Sequence, residues 1–365
     1  RYSDIFFLLE NYDIINHGDS MKKEIVVVGM SGGVDSSVAA CLLKEEGYKV
    51  IGATMKLLED EKTKDAIEDA KKICTILNIP HYIFDLTKEF KNLVIENFIT
   101  SYKKGLTPNP CIVCNKYFKF GLFFKKAQEL GATYIATGHY AKVQNNRLIM
   151  SNAKEKDQSY FLCQIDKTIL PNVIFPLNKF HSKEEIRTLA KKYNLPVSEK
   201  KDSQEICFIP NDDYKSFLEK NNMTNKSGNI ILKDGTILGK HNGLYKYTIG
   251  QRKGLNIAYK EPLYVLELDT ENNNVIVGTN NDLLKKELVA TNTNYLIDKD
   301  EFFKTKLYAK IRSRGALEEI DSCQLDNEKN LIITFVKEQR AITPGQYIVF
   351  YNDRNECLGS GCIEK

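Results

Sequence analysis

One stretch, VVGMSGGVDSS at residues 27–37, constrains the fold of this chain more than any other. A β-branched run ends in a turn with adjacent glycines, an aspartate and paired serines, and a helical pattern follows. Glycines allow a tight turn whose N–H groups converge on one anion, and the N-terminus of the next helix adds its dipole. A Walker-type loop also places a lysine against the β- and γ-phosphates, and this turn contains none. The stretch therefore predicts a phosphate-binding loop of another kind.

The acidic residue of the turn predicts a metal ion. Asp35 would repel a polyphosphate unless a divalent cation lay between them, so we expect Mg²⁺ together with the nucleotide.

Strand and helix patterns alternate from about residue 24 to residue 208, which predicts an α/β fold with a doubly wound parallel sheet. The strand-like runs are 24–30, 48–56, 81–86 and 133–139. Ligands of such sheets bind at the carboxyl ends of the strands, where the glycine-rich turn lies.

The pattern changes beyond residue 208. Short Gly- and Asn-rich strands predict a small central domain, with a hairpin turn at KDG, residues 233–235. Short strands from about residue 281 predict a C-terminal β-barrel. The predicted division is an extension of unknown role at 1–20, a catalytic domain at 21–208, a central domain at 209–280 and a barrel at 281–365.

Within the predicted barrel, KLYAKIRSR at 306–314 alternates like a half-buried strand. Its apolar residues would face the barrel interior and its basic residues the outside, namely Lys306, Lys310, Arg312 and Arg314. A basic outer face suits phosphate contacts on RNA, although a solvated charged face gives the same pattern.

Composition narrows the class of protein. The chain has no run of about 18 apolar residues, so a membrane span is not expected. Nine cysteines, an odd number, argue against a secreted disulfide scaffold and for a reducing compartment, so we expect a cytoplasmic protein. The net charge of +4 is by itself weak evidence for a polyanionic partner.

Three cysteines differ from the others in their sequence context. Cys111 and Cys114 form a C-x-x-C pair after a Pro-containing turn, and Cys207 lies in KKDSQEICFIP at 200–210. A lone C-x-x-C pair is typical of a zinc site or a redox pair. Structural zinc requires four ligands and the sequence has no second such pair, so zinc is not favoured.

The stretch SGGVDSS resembles the pyrophosphate loop (PP-loop) of the ATP-pyrophosphatase superfamily, whose fold is of the adenine nucleotide alpha hydrolase type. Members of that superfamily split ATP between the α- and β-phosphates and adenylate a substrate oxygen. By this resemblance the loop would hold the leaving pyrophosphate, and no Walker lysine would be needed.

Further motifs resemble the tRNA-specific 2-thiouridylase (MnmA) family from about Met21 to the C-terminus. They are GMSGGVDSSVAA, TPNPCIVCNKYFKF, ATGHYAK, KDQSYFL, KKDSQEICFIP, GQRKGL and TPGQYIVFYN. The resemblance implies an enzyme that uses ATP to make 2-thiouridine at the wobble position (U34) of the lysine, glutamate and glutamine tRNAs. The C2 oxygen of uracil would be adenylated, and sulfur would then expel AMP from C2. The target base must be unstacked to be reached.

The same resemblance implies the site residues. ATP would be bound by Gly29, Met30, Ser31, Gly32, Gly33, Val34, Asp35 and Ser36, with Met55 and Gly138 beside adenosine. The target base would be bordered by Asn109 and Pro110, and the other tRNA contacts would be made by Cys111, His139, Lys156, Asp157, Gln158, Arg312, Ser313 and Gln346. Cys207 would carry a persulfide and Cys114 would be the nucleophile or the resolving thiol, so that the two close a disulfide as sulfur is delivered.

Cys111 departs from the family pattern, in which most members have an aspartate that activates a cysteine. The three-cysteine arrangement resembles thiouridylases with a [4Fe–4S] cluster, whose ligands here would be Cys111, Cys114 and Cys207, with one iron open to sulfide. A persulfide route and a cluster route both stay open. The sulfur donor is also open: a cysteine desulfurase, a relay protein or free sulfide.

Two other functions compete with this interpretation. Another PP-loop enzyme, such as a synthetase that adenylates a carboxylate, would share the loop, but the cysteines and the basic barrel weigh against it. A non-catalytic RNA-binding or sulfur-carrier protein would be expected to have a broken loop, and SGGVDSS is intact.

Overall fold

The computed structural model describes residues 24–200, 206–224 and 226–364. The predicted extension at 1–20 and the central part of the Cys207 motif, residues 201–205, lie outside the described residues. Within the described ranges, no helix is both long and apolar enough to cross a membrane.

The helices in chain order are α1 (Val34–Glu45), α2 (Glu61–Ile76), α3 (Thr87–Phe90), α4 (Glu96–Lys103), α5 (Pro110–Cys114), α6 (Phe123–Glu129), α7 (Lys183–Lys192), α8 (Tyr214–Lys220) and α9 (Lys299–Lys304). Two π-helical segments, Lys91–Ile95 and Asn115–Leu122, join α3 to α4 and α5 to α6. The strands are β1 (Ile25–Gly29), β2 (Lys49–Lys56), β3 (His81–Asp85), β4 (Tyr134–Ala136), β5 (Ala141–Gln144), β6 (Arg147–Met150), β7 (Val173–Ile174), β8 (Ser227–Leu232), β9 (Ile237–Asn242), β10 (Tyr264–Asp269), β11 (Asn274–Gly278), β12 (Leu284–Tyr295), β13 (Tyr308–Lys310), β14 (Glu318–Leu325), β15 (Leu331–Arg340), β16 (Tyr347–Tyr351) and β17 (Glu356–Ile363).

The first sheet is parallel, in the order β3-β2-β1-β4-β7. Successive residues of its central strand β1 face opposite sides. Val26 and Val28 pack with α1 and α7, whereas Val27 packs with α6. Helices therefore cover both faces, which confirms the predicted doubly wound α/β fold. The carboxyl end of β1 leads directly into the glycine-rich turn.

The central region is a four-stranded sheet in the order β10-β11-β8-β9. Strands β8 and β9 are antiparallel and the turn between them contains Gly235, whose φ is +87°. A positive φ is readily adopted by glycine, so the hairpin predicted from KDG is confirmed.

The C-terminal strands form a barrel in the order β12-β15-β14-β13-β16-β17, closed by pairing of β12 with β17. The predicted barrel is confirmed. A hairpin that follows β4 of the first sheet, β5–β6, extends the sheet of the barrel, because Cys357 of β17 pairs with Leu148 of β6. This addition was not predicted, and it joins the first sheet region to the barrel. The limits of the domains stay a prediction.

The prediction of one continuous strand at 306–314 was wrong, since only Tyr308–Lys310 pairs as β13. A turn follows, in which the Gly315 N–H donates to the Arg312 carbonyl at 3.0 Å. The alternation of burial is nevertheless retained, with Leu307, Ala309 and Ile311 buried.

Candidate active site

The predicted phosphate loop occupies the turn between β1 and α1. Gly32 has a φ of +66°, and a Cβ at this position would lie 2.5 Å from the Ala66 carbonyl oxygen of α2, so only glycine fits. Ser36 Oγ accepts from the Ser31 N–H at 3.2 Å. On the other side, a Cβ at Gly138 would lie 2.8 Å from the Ser36 nitrogen. The loop is thus held closely between α2 and the segment that follows β4.

A cavity of about 490 Å³ opens beside this loop. The predicted site residues that line it are Gly29, Met30, Ser31, Asp35, Ser36, Met55, Pro110, Cys111, Cys114, Gly138, His139, Gln158 and Cys207. The predicted residues outside its lining are Gly32, Gly33, Val34, Asn109, Lys156, Asp157, Arg312, Ser313 and Gln346. A second cavity, of about 880 Å³, lies between the central sheet and the barrel and is lined by none of the predicted site residues. The chemistry is therefore gathered at the smaller cavity.

Two separate segments bring the three cysteines to this cavity. Helix α5 begins after Asn109, whose side chain accepts from the Ile112 N–H at 3.4 Å, and its three-residue spacing places Cys111 and Cys114 on one face. Cys207 is positioned by its neighbour Phe208, a buried ring whose centroid lies 5.4 Å from that of Phe98. All three are free thiols.

The protein around the cavity disfavours ionised thiols. Burial raises the pKa of Cys114 to about 12, and it also raises the pKa of Cys111 and of Cys207. Both of these have exposed side chains, but they open into the cavity, whose walls displace most of the surrounding water. The positive charge of Lys119 lowers the pKa of each thiol and so opposes the effect of burial. At neutral pH the free thiols are therefore protonated.

Lys119 is a site residue that the sequence analysis missed. It lies on the π-helical segment after α5 and lines the cavity. Its Nζ is 3.4 Å from His139 Nε2, and His139 Nδ1 is 2.7 Å from Thr137 Oγ1. Because an ammonium only donates, Nε2 accepts and the Nδ1–H donates to Thr137. The one feature of the sequence that could have indicated Lys119 is its place within the motif NKYFKF.

His139 is held neutral by this arrangement. Burial, followed by the charge of Lys119, lowers the pKa of His139 well below its usual value. His139 therefore offers no positive charge to a tRNA phosphate. His139 lines the cavity, and its contact with tRNA stays a prediction.

Asp35 already has countercharge from the protein. Its Oδ2 accepts from Lys183 Nζ at 2.7 Å, and its Oδ1 accepts from the Tyr140 hydroxyl at 2.9 Å. The repulsion from which Mg²⁺ was predicted is therefore reduced, and Mg²⁺ stays a prediction. Lys183 and Tyr140 were missed. The available signal was a lysine at the first position of a capped helix, where the helix dipole disfavours a cation.

The thiols that could bind an iron–sulfur cluster are present, but their side chains are not arranged around one metal position. Three thiols on one cavity are the soft ligands that iron–sulfur clusters take. In the described part of the chain, however, no group of three or more His, Cys, Asp or Glu side chains is placed to hold a metal ion. The positions of these side chains thus do not fit a metal centre, and no step is derived through one.

Several residues predicted to contact tRNA already have partners within the protein. Asp157 accepts from the Ser159 hydroxyl at 2.7 Å, and Arg312 donates to the Ala341 carbonyl at 2.9 Å. Gln346 donates to the Thr107 carbonyl at 2.7 Å, which links the barrel to the segment before α5. Their contacts with tRNA stay predictions.

The sheet, the loop at the end of β1 and the three thiols define an α/β enzyme of the PP-loop class. A family model described as tRNA methyl transferase HUP domain matches residues 24–211. Models described as tRNA methyl transferase PRC-barrel domain and Aminomethyltransferase beta-barrel domain match residues 215–279 and 285–363.

Two curated relatives have the same extent as this chain. A tRNA-specific 2-thiouridylase MnmA from Caldicellulosiruptor saccharolyticus is 45% identical over 363 residues, 94% of this chain and 99% of the relative. A tRNA-specific 2-thiouridylase MnmA 1 from Fusobacterium nucleatum is 46% identical over 354 residues, 95% of each chain. The chain belongs to the tRNA-specific 2-thiouridylase family, which confirms the resemblance.

A solved structure of a 4-thiouridine synthetase–RNA complex with bound ATP is also similar. Its sequence identity is 22% and its TM-score 0.36, over 54% of this chain and 50% of that chain. A similarity at this level says nothing about the activity of this chain.

Proposed function

We propose that this chain catalyses the ATP-dependent 2-thiolation of a tRNA uridine. The observation that carries the proposal is one cavity that joins a phosphate loop to three cysteines. The family models are described by methyl transfer and the relatives are named for 2-thiolation. Thiols beside a pyrophosphate loop suit the second chemistry, because adenylation prepares a carbon for attack by sulfur.

The first step activates the uracil. Its C2 carbonyl is a poor electrophile because both neighbouring nitrogens donate electrons to it. Attack of the C2 oxygen on the α-phosphorus of ATP would form a C2–O–AMP bond and release pyrophosphate. Ser31, Ser36 and the N-terminus of α1 would hold that pyrophosphate, and bound Mg²⁺ would offset its negative charge.

The second step transfers sulfur through a persulfide. The terminal sulfur of a Cys207 persulfide would attack C2 and expel AMP, leaving a disulfide between C2 sulfur and Cys207. The Cys114 thiol would then lose its proton and attack Cys207 Sγ, which releases 2-thiouridine and forms a Cys114–Cys207 disulfide. A dithiol reductant would restore both thiols.

The substrates we propose are the wobble uridines of the lysine, glutamate and glutamine tRNAs, in the cytoplasm, where thiols remain reduced. Support for this choice is membership of the 2-thiouridylase family together with the cavity. A cysteine desulfurase or a relay protein would load the persulfide onto Cys207, whose side chain is exposed.

The test is a reconstitution with unmodified tRNA, ATP, Mg²⁺, a dithiol reductant and a desulfurase with cysteine. We expect one AMP for each 2-thiouridine found by mass spectrometry of digested tRNA. ATP–pyrophosphate exchange without tRNA would instead indicate a synthetase that adenylates a carboxylate. If tRNA leaves AMP release unchanged and no thionucleoside forms, the chain is a non-catalytic binding protein.

The thiols are not grouped around one metal position among the described residues, and the single observation that favours the cluster route is that Cys111 opens into the same cavity as the other two thiols. Iron and acid-labile sulfide per chain, measured after anaerobic purification, separate the two routes. About four of each in the wild type, lost in Cys111→Ala, would indicate a cluster. Negligible iron after reconstitution would leave the persulfide route.

A further inference from the structure

The carboxylate of the phosphate loop is bound by two side chains from distant parts of the chain. Lys183 Nζ lies 2.7 Å from Asp35 Oδ2, and the Tyr140 hydroxyl donates to Oδ1 at 2.9 Å. The side chains of Lys183 and Asp35 are 8% and 30% exposed, and Tyr140 is buried. The pair therefore lies where the protein interior meets the cavity.

Local helix electrostatics do not explain a lysine at this place. Lys183 is the first residue of α7, which begins after the N-cap Ser182. The N-terminus of a helix carries partial positive charge, so a cation there is disfavoured. Asp35 supplies the compensating charge, and as a first-turn residue of α1 it is itself favourably placed.

The pair is held by the core rather than by flexible surface chains. Ile186 and Ala190 of α7 pack in one cluster with Val38 and Leu42 of α1. Both helices are thus fixed relative to each other, and the ammonium and the carboxylate are presented at a set separation. A pair of this kind is little screened by solvent.

Phosphate loops of the Walker type carry a lysine within the loop. The loop of this chain carries Asp35 instead, and its lysine partner, Lys183, comes from α7. We propose that Lys183 is a positioning residue of the phosphate loop, which neutralises and orients Asp35 so that the loop accepts pyrophosphate. This inference rests on the proposed binding of ATP. Lys183 acts here through Asp35 and not by touching the phosphates.

The test measures the dissociation constants of pyrophosphate, ATP and adenosine for the full-length chain by calorimetry, with Mg²⁺ present. Lys183→Met leaves the Asp35 charge uncompensated beside the loop, so we expect about tenfold weaker binding of pyrophosphate and ATP. Adenosine binding should change less than about twofold, because adenosine carries no charge. The matched control is Lys179→Met, because Lys179 also pairs with a carboxylate, that of Glu46, at 3.2 Å at the surface. The affinity of this control variant for pyrophosphate should equal that of the wild type.

The double variant Lys183→Met/Asp35→Asn removes both charges and separates the two ways in which a lysine could help. We expect it to bind pyrophosphate at least about threefold more tightly than Lys183→Met, because no uncompensated carboxylate remains beside the loop. Binding as weak as that of Lys183→Met would mean that Lys183 acts on the phosphates directly, and the inference would be wrong. Equal losses for adenosine and pyrophosphate would mean general damage to the fold and would overturn it as well. A wild type that binds no ATP would contradict the proposed function itself.

Discussion

Lys119 is the one described residue that acts on Cys111, Cys114 and Cys207 as well as on His139. Its positive charge favours thiolates and disfavours a protonated imidazole. The same side chain therefore adds to the burial that keeps His139 neutral, while it opposes the effect of burial on the thiols. Sulfur chemistry needs thiolates, so the position of this lysine bears on the rate.

We predict that Lys119→Met slows alkylation of Cys207 by iodoacetamide in iron-free protein. A cation lowers the pKa of a nearby thiol, so its loss raises that pKa and leaves less thiolate at any given pH. The rate at pH 8 should fall by about threefold, and the rate–pH curve should move to higher pH.

The matched control for Lys119 lies on the same π-helical segment. Lys116 donates to Gln164 at 2.9 Å and does not line the cavity, so Lys116→Met should leave the alkylation rate unchanged. Equal slowing in both variants would contradict a specific effect of Lys119.

Gly32 gives a second prediction at the scale of one residue. Gly32→Ala places a methyl group 2.5 Å from a backbone oxygen at a φ of +66°, whereas Gly235→Ala has a φ of +87° and open space. Backbone strain at a positive φ costs about 1 kcal/mol. The free energy of unfolding of Gly235→Ala should therefore fall by about that much, and its affinity for ATP should stay unchanged. The free energy of unfolding of Gly32→Ala should fall further, and this variant should bind ATP weakly. Urea unfolding and ATP titration measure both, and equal effects would show that the close contact is unimportant.

At the scale of elements, the barrel supports the segment that carries two of the cysteines. The Thr107 N–H donates to the Pro344 carbonyl at 2.9 Å, and the Gln346 side chain returns a hydrogen bond to the Thr107 carbonyl. Between these contacts Gly345 has a φ of +89°. A loop of the barrel thus lies against the chain just before α5, so the barrel positions part of the candidate active site.

We predict that Gly345→Ala lowers 2-thiouridine formation and leaves the affinity for ATP unchanged. Its Cβ would lie 2.9 Å from the Thr107 nitrogen, so the segment before α5 must shift while the phosphate loop is untouched. Gly254→Ala is the control, because it has a φ of +80° and its nearest contact is at 3.7 Å. Quantifying 2-thiouridine in tRNA tests this, and a parallel loss of ATP binding would contradict it.

At the scale of the whole molecule, the elements predicted correctly are those with local signals. The turn after β1 and the KDG hairpin depend on residues a few positions apart, and glycine chemistry determines both. The pairing of Cys357 with Leu148 and the contact of Lys183 with Asp35 join distant segments, so no local pattern could reveal them. The continuous strand predicted at 306–314 failed because alternation reports burial, while the turn at Gly315 ends the pairing.

The central claim of this account is that adenylation at the loop and sulfur transfer at the cysteines are separate steps in one cavity. The most direct test is Cys207→Ser under single-turnover conditions with ATP, Mg²⁺, unmodified tRNA, a dithiol reductant and a desulfurase with cysteine, beside the wild type. We predict that tRNA-dependent pyrophosphate release persists while 2-thiouridine is absent. Formation of 2-thiouridine by the variant, or loss of pyrophosphate release with ATP binding intact, would contradict the claim.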